Sequence, residues 1–292
     1  MGGRIARRLA AAGEDVAGHD LDAERVARAG VRSVATLGEL VRDADVLLLS
    51  LPDSAVIESV VLGDNGVTAH CRRGQIVVDL STAAPESSVR IHDELASHGV
   101  AFLDAGISGG PQGAEEGTLA IMVGGEAEAL EQVRPLLELF SSRIFHMGPS
   151  GAGHTAKVLN NFLNGISLAA TAEAMVAARK SGLDLERFLD ALNASTGVNF
   201  ATLNRFPSIV RGDYLEGGLT GKLMAKDLQL YLDLVRRLGV PSFTGQGCFA
   251  TFEATNALGY RDQVSNRVVD GLGDLAGGVR LQDANTKRRD DS

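Results

Sequence analysis

The chain has 292 residues, with 37 acidic against 28 basic side chains and a formal net charge of -9. That length suits one large domain or two ordinary ones, and 45% apolar with 22% charged residues is enough to bury a core and too apolar for global disorder. The acidic balance, the absence of Trp and only 4% aromatics argue against a nucleic-acid binder, which needs a basic face and stacking platforms.

The first half alternates between two periodicities. Arg4 to Ala12 is helical in pattern and is closed by Gly13. A short strand follows over Asp15 to Asp20, and Asp22 then caps a helix to Ala29, stopped by Gly30. Leu37 to Arg42 reads as another short helix. Ala44 to Leu51 is a near-continuous apolar run closed by Pro52, as in a strand buried on both faces of a parallel sheet. Gln75 to Leu80 and Val100 to Ile107 are further strands, with a helix from Pro85 to Ser97 between them. Leu119 to Val123 and Arg143 to Met147 add two more, around a helix from Glu126 to Phe140. Repeated β-α-β alternation of this kind predicts a doubly wound parallel sheet over residues 1–149.

After Pro149 no strand pattern is found. Ala152 to Ser181 is one long helical stretch. Leu185 to Asn193, Phe200 to Ile209, Leu223 to Leu238, Cys248 to Leu258 and Val264 to Leu275 read as further helices. Residues 150–277 therefore form an expected all-helical second domain, joined through the long helix. Residues 278–292, ending in KRRDDS, are expected to be a flexible tail.

No apolar run approaches the ~20 residues that span a bilayer, and Met1-Gly2-Gly3-Arg4 opens no secretory leader, so no membrane partner is expected. Cys71 and Cys248 read as separate thiols in a reducing, cytoplasmic setting. The six histidines are scattered, with no spacing that suits a metal.

Four segments carry chemistry. Asp20 ends the second element of the first β-α-β unit, where an acidic residue accepts hydrogen bonds from the ribose of a dinucleotide. Gly2 lies where the third glycine of a Gly-x-Gly-x-x-Gly fingerprint belongs. The opening strand and the first two glycines would then precede residue 1. Asp104 to Ala114 (DAGISGGPQGA) runs from a strand into a glycine-dense loop whose backbone amides, with the Ser108 hydroxyl, can cradle an anion. In Gly151 to Asn164 (GAGHTAKVLNNFLN), Lys157, Asn161 and Asn164 share one face of an otherwise apolar, buried helix. Buried polar groups need partners, and burial of a lysine disfavours its charged form and brings it toward proton exchange. His154 reads as a bystander near the helix start. Lys222 and Lys226 share a helix face that composition alone makes a solvated one.

Taken in order, Met1-Gly2, Leu51-Pro52, Ser81-Thr82, Asp104 to Ala114, Gly151 to Asn161 and Lys226-Asp227 resemble the β-hydroxyacid dehydrogenase family, which includes 3-hydroxyisobutyrate dehydrogenase and tartronate semialdehyde reductase. The resemblance covers nearly the whole chain. It implies a Rossmann domain, a long interdomain helix and an all-helical domain, assembled as a homodimer or homotetramer. It also implies hydride transfer between NAD(P) and a short β-hydroxyacid, or the corresponding semialdehyde. Lys157 would be the catalytic acid/base. Ser108, Gly109 and Gly110 would grip the substrate carboxylate, with Asn161 and Lys226 also at the substrate. Met1, Gly2, Asp20, Leu51, Pro52, Thr82 and Lys226 would meet the cofactor, and Asp20 favours NAD, with NADP possible. Gly106 departs from the family, where many members carry proline. Among alternatives, 6-phosphogluconate dehydrogenase has a much larger helical domain, and imine reductases of similar layout typically replace the lysine. A non-catalytic dinucleotide-binding or scaffold paralogue is the reading from a different class.

Overall fold

A computed structural model describes residues 1–282; of the tail expected after Gly277, residues 283–292 lie outside the described residues. The chain divides into two compact units, Met1–Val158 and a second that starts at Leu159. The division falls inside the long helix and not at the Gly/Pro joint around Pro149. The first turn of that helix is bonded into the sheet of the first unit, as described below.

The first unit alternates as its periodicities require. Its elements are α1 (Gly2–Ala11), β1 (Ala17–Gly18), α2 (Ala23–Ala29), β2 (Arg32–Ser33), α3 (Leu37–Asp43), β3 (Val46–Leu49), α4 (Ser54–Leu62), β4 (Ile76–Asp79), α5 (Pro85–Ser97), β5 (Ala101–Ser108), α6 (Gly110–Glu116), β6 (Leu119–Gly124), α7 (Ala127–Glu138) and β7 (Ser141–Gly148). Three helices start where a side-chain oxygen satisfies an orphan backbone donor. Asp22, Thr36 and Asp53 accept from the N–H groups of Glu24, Glu39 and Val56.

β1 and β2 form a small parallel sheet, and the other five strands form a second sheet in the order β3-β4-β5-β6-β7. That sheet is parallel except for β5 and β6, which run antiparallel. The connection between those two contains only the short α6. A parallel crossover needs a dozen or more residues, so the chain turns back on itself there.

Period-two alternation places helices on both faces. Ile76, Val78 and Leu80, with Leu103 and Ala105, enter a core shared with Ile5 and Leu9 of α1, Ala114 of α6 and Leu130 and Val133 of α7. The alternate residues Val77 and Phe102 enter the opposite core, with Val41 of α3, Ile57 and Val61 of α4, and Ile91 and Leu95 of α5. The sheet is thus doubly wound, as its sequence pattern predicts.

α8 (Ala152–Lys180) begins in the first unit and continues into the second, where α9 (Leu185–Asn193), α10 (Phe200–Asn204), α11 (Phe206–Ile209), α12 (Gly221–Arg237), α13 (Phe243–Thr255) and α14 (Val268–Leu275) follow. Among the described residues of this unit, the β-type pairing is a single bridge, Thr220 to Val264. Leu168, Ala172 and Met175 of α8 bury against Phe206, Met224, Leu228, Phe252 and Val268. Gly165 lets α8 approach α12 closely, since a Cβ there would stand 3.2 Å from both Leu228 and Met224. Phe162 and Tyr231 stack across the same contact, with ring centroids 3.9 Å apart.

The single helix expected over 200–209 is broken at Arg205, because Pro207 has no N–H for the carbonyl of residue 203 and its ring crowds that turn. Among the described residues no helix is long and apolar enough to cross a membrane.

Candidate active site

The start of α8 has no side-chain cap in its own sequence; the cap comes from β5. Asp104 Oδ1 accepts the Gly151 N–H and Oδ2 accepts the His154 N–H, each at 2.7 Å. Asp104 is fully buried, and burial pushes its carboxyl above the usual carboxylate range. The nearby His154 and the two donated amides act in the opposite direction. Glycines let the helix lie on bare strand backbone. A Cβ on Gly153 would stand 2.6 Å from Gly124 N and Met122 O.

Asp104, Gly106 and Ser108 are alternate residues of β5 and so share one strand face. Asp104 uses that face to hold α8. Gly106 meets the stem of Lys157, which is 8% exposed. Ser108 ends the strand, and Gly109 (φ 129°) and Gly110 (φ 67°) make the turn beyond it. The glycine-dense segment is shorter as a loop than its composition suggests, since α6 begins at Gly110 with Pro111 in its first turn.

His154 is no bystander. It is fully buried, with Nδ1 2.7 Å from Ser88 Oγ and Nε2 4.0 Å from Asp79 Oδ2. Asp79 Oδ1 accepts the Ser81 N–H at 3.0 Å, and Ser81 Oγ accepts the Leu51 N–H at 2.9 Å. The turns that carry Leu51-Pro52 and Ser81-Thr82 are thereby laced together beyond the carboxyl ends of β3 and β4. Ligands of open α/β sheets bind on that side.

The dinucleotide residues fit their expected group. α1 starts after Met1 with no side-chain cap and no acidic residue in its first turn, which leaves its N–H groups suited to a pyrophosphate. Gly2 is packed against the end of β3, where a Cβ would stand 3.1 Å from Ser50 Cβ. Asp20 is exposed just beyond β1, where Oδ1 accepts the Asp22 N–H at 2.9 Å and Oδ2 lies 3.9 Å from Arg25.

In the second unit, Asn161 Nδ2 donates to Asp227 Oδ2 at 2.6 Å, and Asn160 Nδ2 donates to Asn161 Oδ1 at 3.2 Å. Asp227 Oδ1 lies 3.0 Å from Lys226 Nζ. One buried carboxylate therefore joins two residues that the sequence places 65 positions apart. Asn164 is engaged differently, accepting at 2.8 Å from Arg205, which also donates to Asn266 at 2.8 Å. Burial pushes the Arg205 guanidinium down to about 10. Among the described residues no group of three or more His, Cys, Asp or Glu is placed to hold a metal.

Sequence reasoning missed Asp104, Ser88 and the part played by Asp227. Asp104 did leave a signal, as one carboxylate in the buried strand VAFLDAGI, where a charge needs a partner. Ser88 left none.

Residues 1–148 match the family model described as the NAD binding domain of 6-phosphogluconate dehydrogenase, and residues 151–270 match that described as NAD-binding of NADP-dependent 3-hydroxyisobutyrate dehydrogenase. An NAD-dependent L-serine dehydrogenase of Pseudomonas aeruginosa is 42% identical over 209 residues, 69% of this chain and 70% of that protein. The structure of a Mycobacterium tuberculosis 3-hydroxyisobutyrate dehydrogenase with L-serine superposes with a TM-score of 0.84 at 32% identity, covering 93% of this chain and 95% of that one. An imine reductase from a Pseudomonas species, at 18% identity and a TM-score of 0.60 over 93% and 96% of the two chains, shares the fold alone. With both halves matched in order, and with the two dehydrogenases covered over 70% and 95% of their own lengths, the chain belongs to the β-hydroxyacid dehydrogenase family.

Proposed function

We propose that the chain is an NAD-dependent dehydrogenase of short β-hydroxyacids in which Lys157 moves the proton. One observation carries this reading. Lys157 is a buried lysine whose stem lies on β5 at Gly106, on the strand face that ends in Ser108.

A bound NAD would supply the hydride acceptor for oxidation of the hydroxyl-bearing carbon, and its reduced form the donor for the reverse reaction. Lys157 accepts the hydroxyl proton as the carbonyl forms, and donates it to the alkoxide in the reverse direction. The Ser108 hydroxyl and the Gly109 and Gly110 amides hold the substrate carboxylate and so select the carbon that reacts. Asn161, its amide oriented by Asp227, would hold the substrate, and Lys226, paired with the same carboxylate, would serve substrate and cofactor. Met1 and Gly2 at the start of α1 would hold the pyrophosphate. Asp20 would take the ribose hydroxyls and repel a 2′-phosphate, and Leu51, Pro52 and Thr82 would complete the cofactor site. Residues 1–149 serve the cofactor, and 150–277 serve the substrate and the contacts of a homodimer or homotetramer. The reduced thiols of Cys71 and Cys248 support a cytoplasmic location.

The test is Lys157→Met, assayed on 3-hydroxyisobutyrate, L-serine and other short β-hydroxyacids with NAD and NADP. The expected result is a loss of turnover of roughly 10²–10⁴-fold, with NADH binding unchanged and NAD the faster cofactor in the parent. Equal loss of turnover and NADH binding would make the lysine a structural residue.

A further inference from the structure

Arg205 stands in the second unit, at the break between α10 and α11. Its guanidinium is held by two amides. One terminal nitrogen donates to Asn164 Oδ1 of α8 and the other to Asn266 Oδ1, each at 2.8 Å. Asn266 is buried, and its Nδ2 donates to the Tyr214 carbonyl at 2.8 Å, which fixes its oxygen toward the arginine. The Phe200 ring completes the seat, with its centroid 5.8 Å from the guanidinium carbon.

None of these partners carries a charge. Among the described residues no carboxylate pairs with Arg205. Arg267, in the same unit, shows the contrast. It stacks on the Tyr214 ring at 3.6 Å and also reaches Asp270 and Glu216, each at 3.1 Å. Burial pushes Arg205 down to about 10, and no neighbouring charge raises it again. A guanidinium that gives up water without gaining a counter-charge is costly to bury, and a bound anion offsets that cost. Its two bonds leave further N–H donors in the same plane. Such a planar fork matches a carboxylate. A phosphoryl group would bring up to about two charges, more than one guanidinium balances.

The position ties this cation to the substrate. Asn164 lies three residues beyond Asn161 on the same face of α8, ~4.5 Å further along the helix axis. That is the reach of a short carbon chain. We infer that Arg205 receives a second carboxylate of the substrate, so that the favoured substrate is a short β-hydroxyacid with a further carboxylate at its other end. The inference rests on the dehydrogenase reading above and adds the substrate class to it.

The test compares kcat/KM for 2-(hydroxymethyl)succinate with that for 3-hydroxyisobutyrate, in the parent, Arg205→Gln and Arg205→Lys. The parent should favour the dicarboxylate by roughly 10- to 100-fold, the worth of a charge-assisted pair. Arg205→Gln should bring that ratio to within about threefold of unity. Arg205→Lys keeps the charge without the fork and should fall between the two. An arginine with only a structural role would lower both rates together and leave the ratio unchanged. That result overturns the inference, and so does a parent with no preference. If neither variant folds, the parent decides, assayed on the amide of the distal carboxylate, which keeps the shape without the charge. Loss of the preference with the amide supports the inference, and equal turnover of acid and amide overturns it. A parent that favours the analogue with a phosphonate in place of the distal carboxylate overturns the choice of carboxylate. Failure to turn over any β-hydroxyacid would instead refute the dehydrogenase reading, and this inference with it, which keeps the failures distinct.

Discussion

Lys157 and Asn161 stand one helical turn apart on α8, yet they are held by different means. The lysine is placed by backbone. A strand carboxylate grips the helix end, and its stem lies on a strand without a side chain. The asparagine is placed by a charged side chain, which takes its amide N–H and also pairs with Lys226. The difference follows from the task of each. A group that gains and loses a proton must stay at a set depth in both states, and contact along its stem serves either one. A group that only orients a ligand gains from a strong, directional bond to its amide.

Removal of each support separates the two arrangements. Asp104→Ala should have the largest effect on stability, because it leaves two buried N–H groups without acceptors. Urea unfolding should show a loss of about 2–6 kcal/mol, at ~1–3 kcal/mol for each orphaned group. Turnover should fall with it, since the helix end carries Lys157. Asp104→Asn removes the charge and one of the two acceptors, and only the loss of the charge varies with pH. A carboxyl raised by burial favours the folded state in acid, and that contribution is lost as pH climbs from the unfolded value near ~4 through the folded one. The stability of Asp104→Asn minus that of the parent should therefore rise with pH across that window and be flat above it.

Asp227→Ala leaves the start of α8 intact and frees the Asn161 amide to rotate. The expected cost is about 1–3 kcal/mol in stability, with kcat/KM for the hydroxyacid down at least roughly tenfold. The smallest effect is expected for Ser88→Ala, which removes the hydrogen-bond partner of His154 Nδ1. A thermal melt should show about 1 kcal/mol, with KM unchanged. A loss at Ser88 that exceeds the loss at Asp104 would contradict this ranking of the supports.

Much of this arrangement was legible in the residues themselves. QIVVDL reads as a buried strand and is one, and α5 starts at Pro85 and ends at Ser97, as its pattern requires. The polar stripe on α8 stood out because amides and a lysine are costly on a buried helix. What escaped notice depends on partners distant in the chain. Asp104 meets residues 47 and 50 positions away, and His154 meets Ser88 across 66. α6 was hidden because Gly110 and Gly113 weaken a helical pattern that β6 packing enforces. β2 has two residues, both exposed, and so offers no periodicity to read.

The central claim is that the Lys157 amine carries the proton, and chemical rescue tests it most directly. Lys157→Ala should be nearly inactive with NAD and a short β-hydroxyacid, and added methylamine or ethylamine should restore turnover in proportion to amine concentration. Turnover by Lys157→Ala within about tenfold of the parent, with no response to amine, would contradict the account, because general acid–base catalysis is worth ~10²–10⁴-fold.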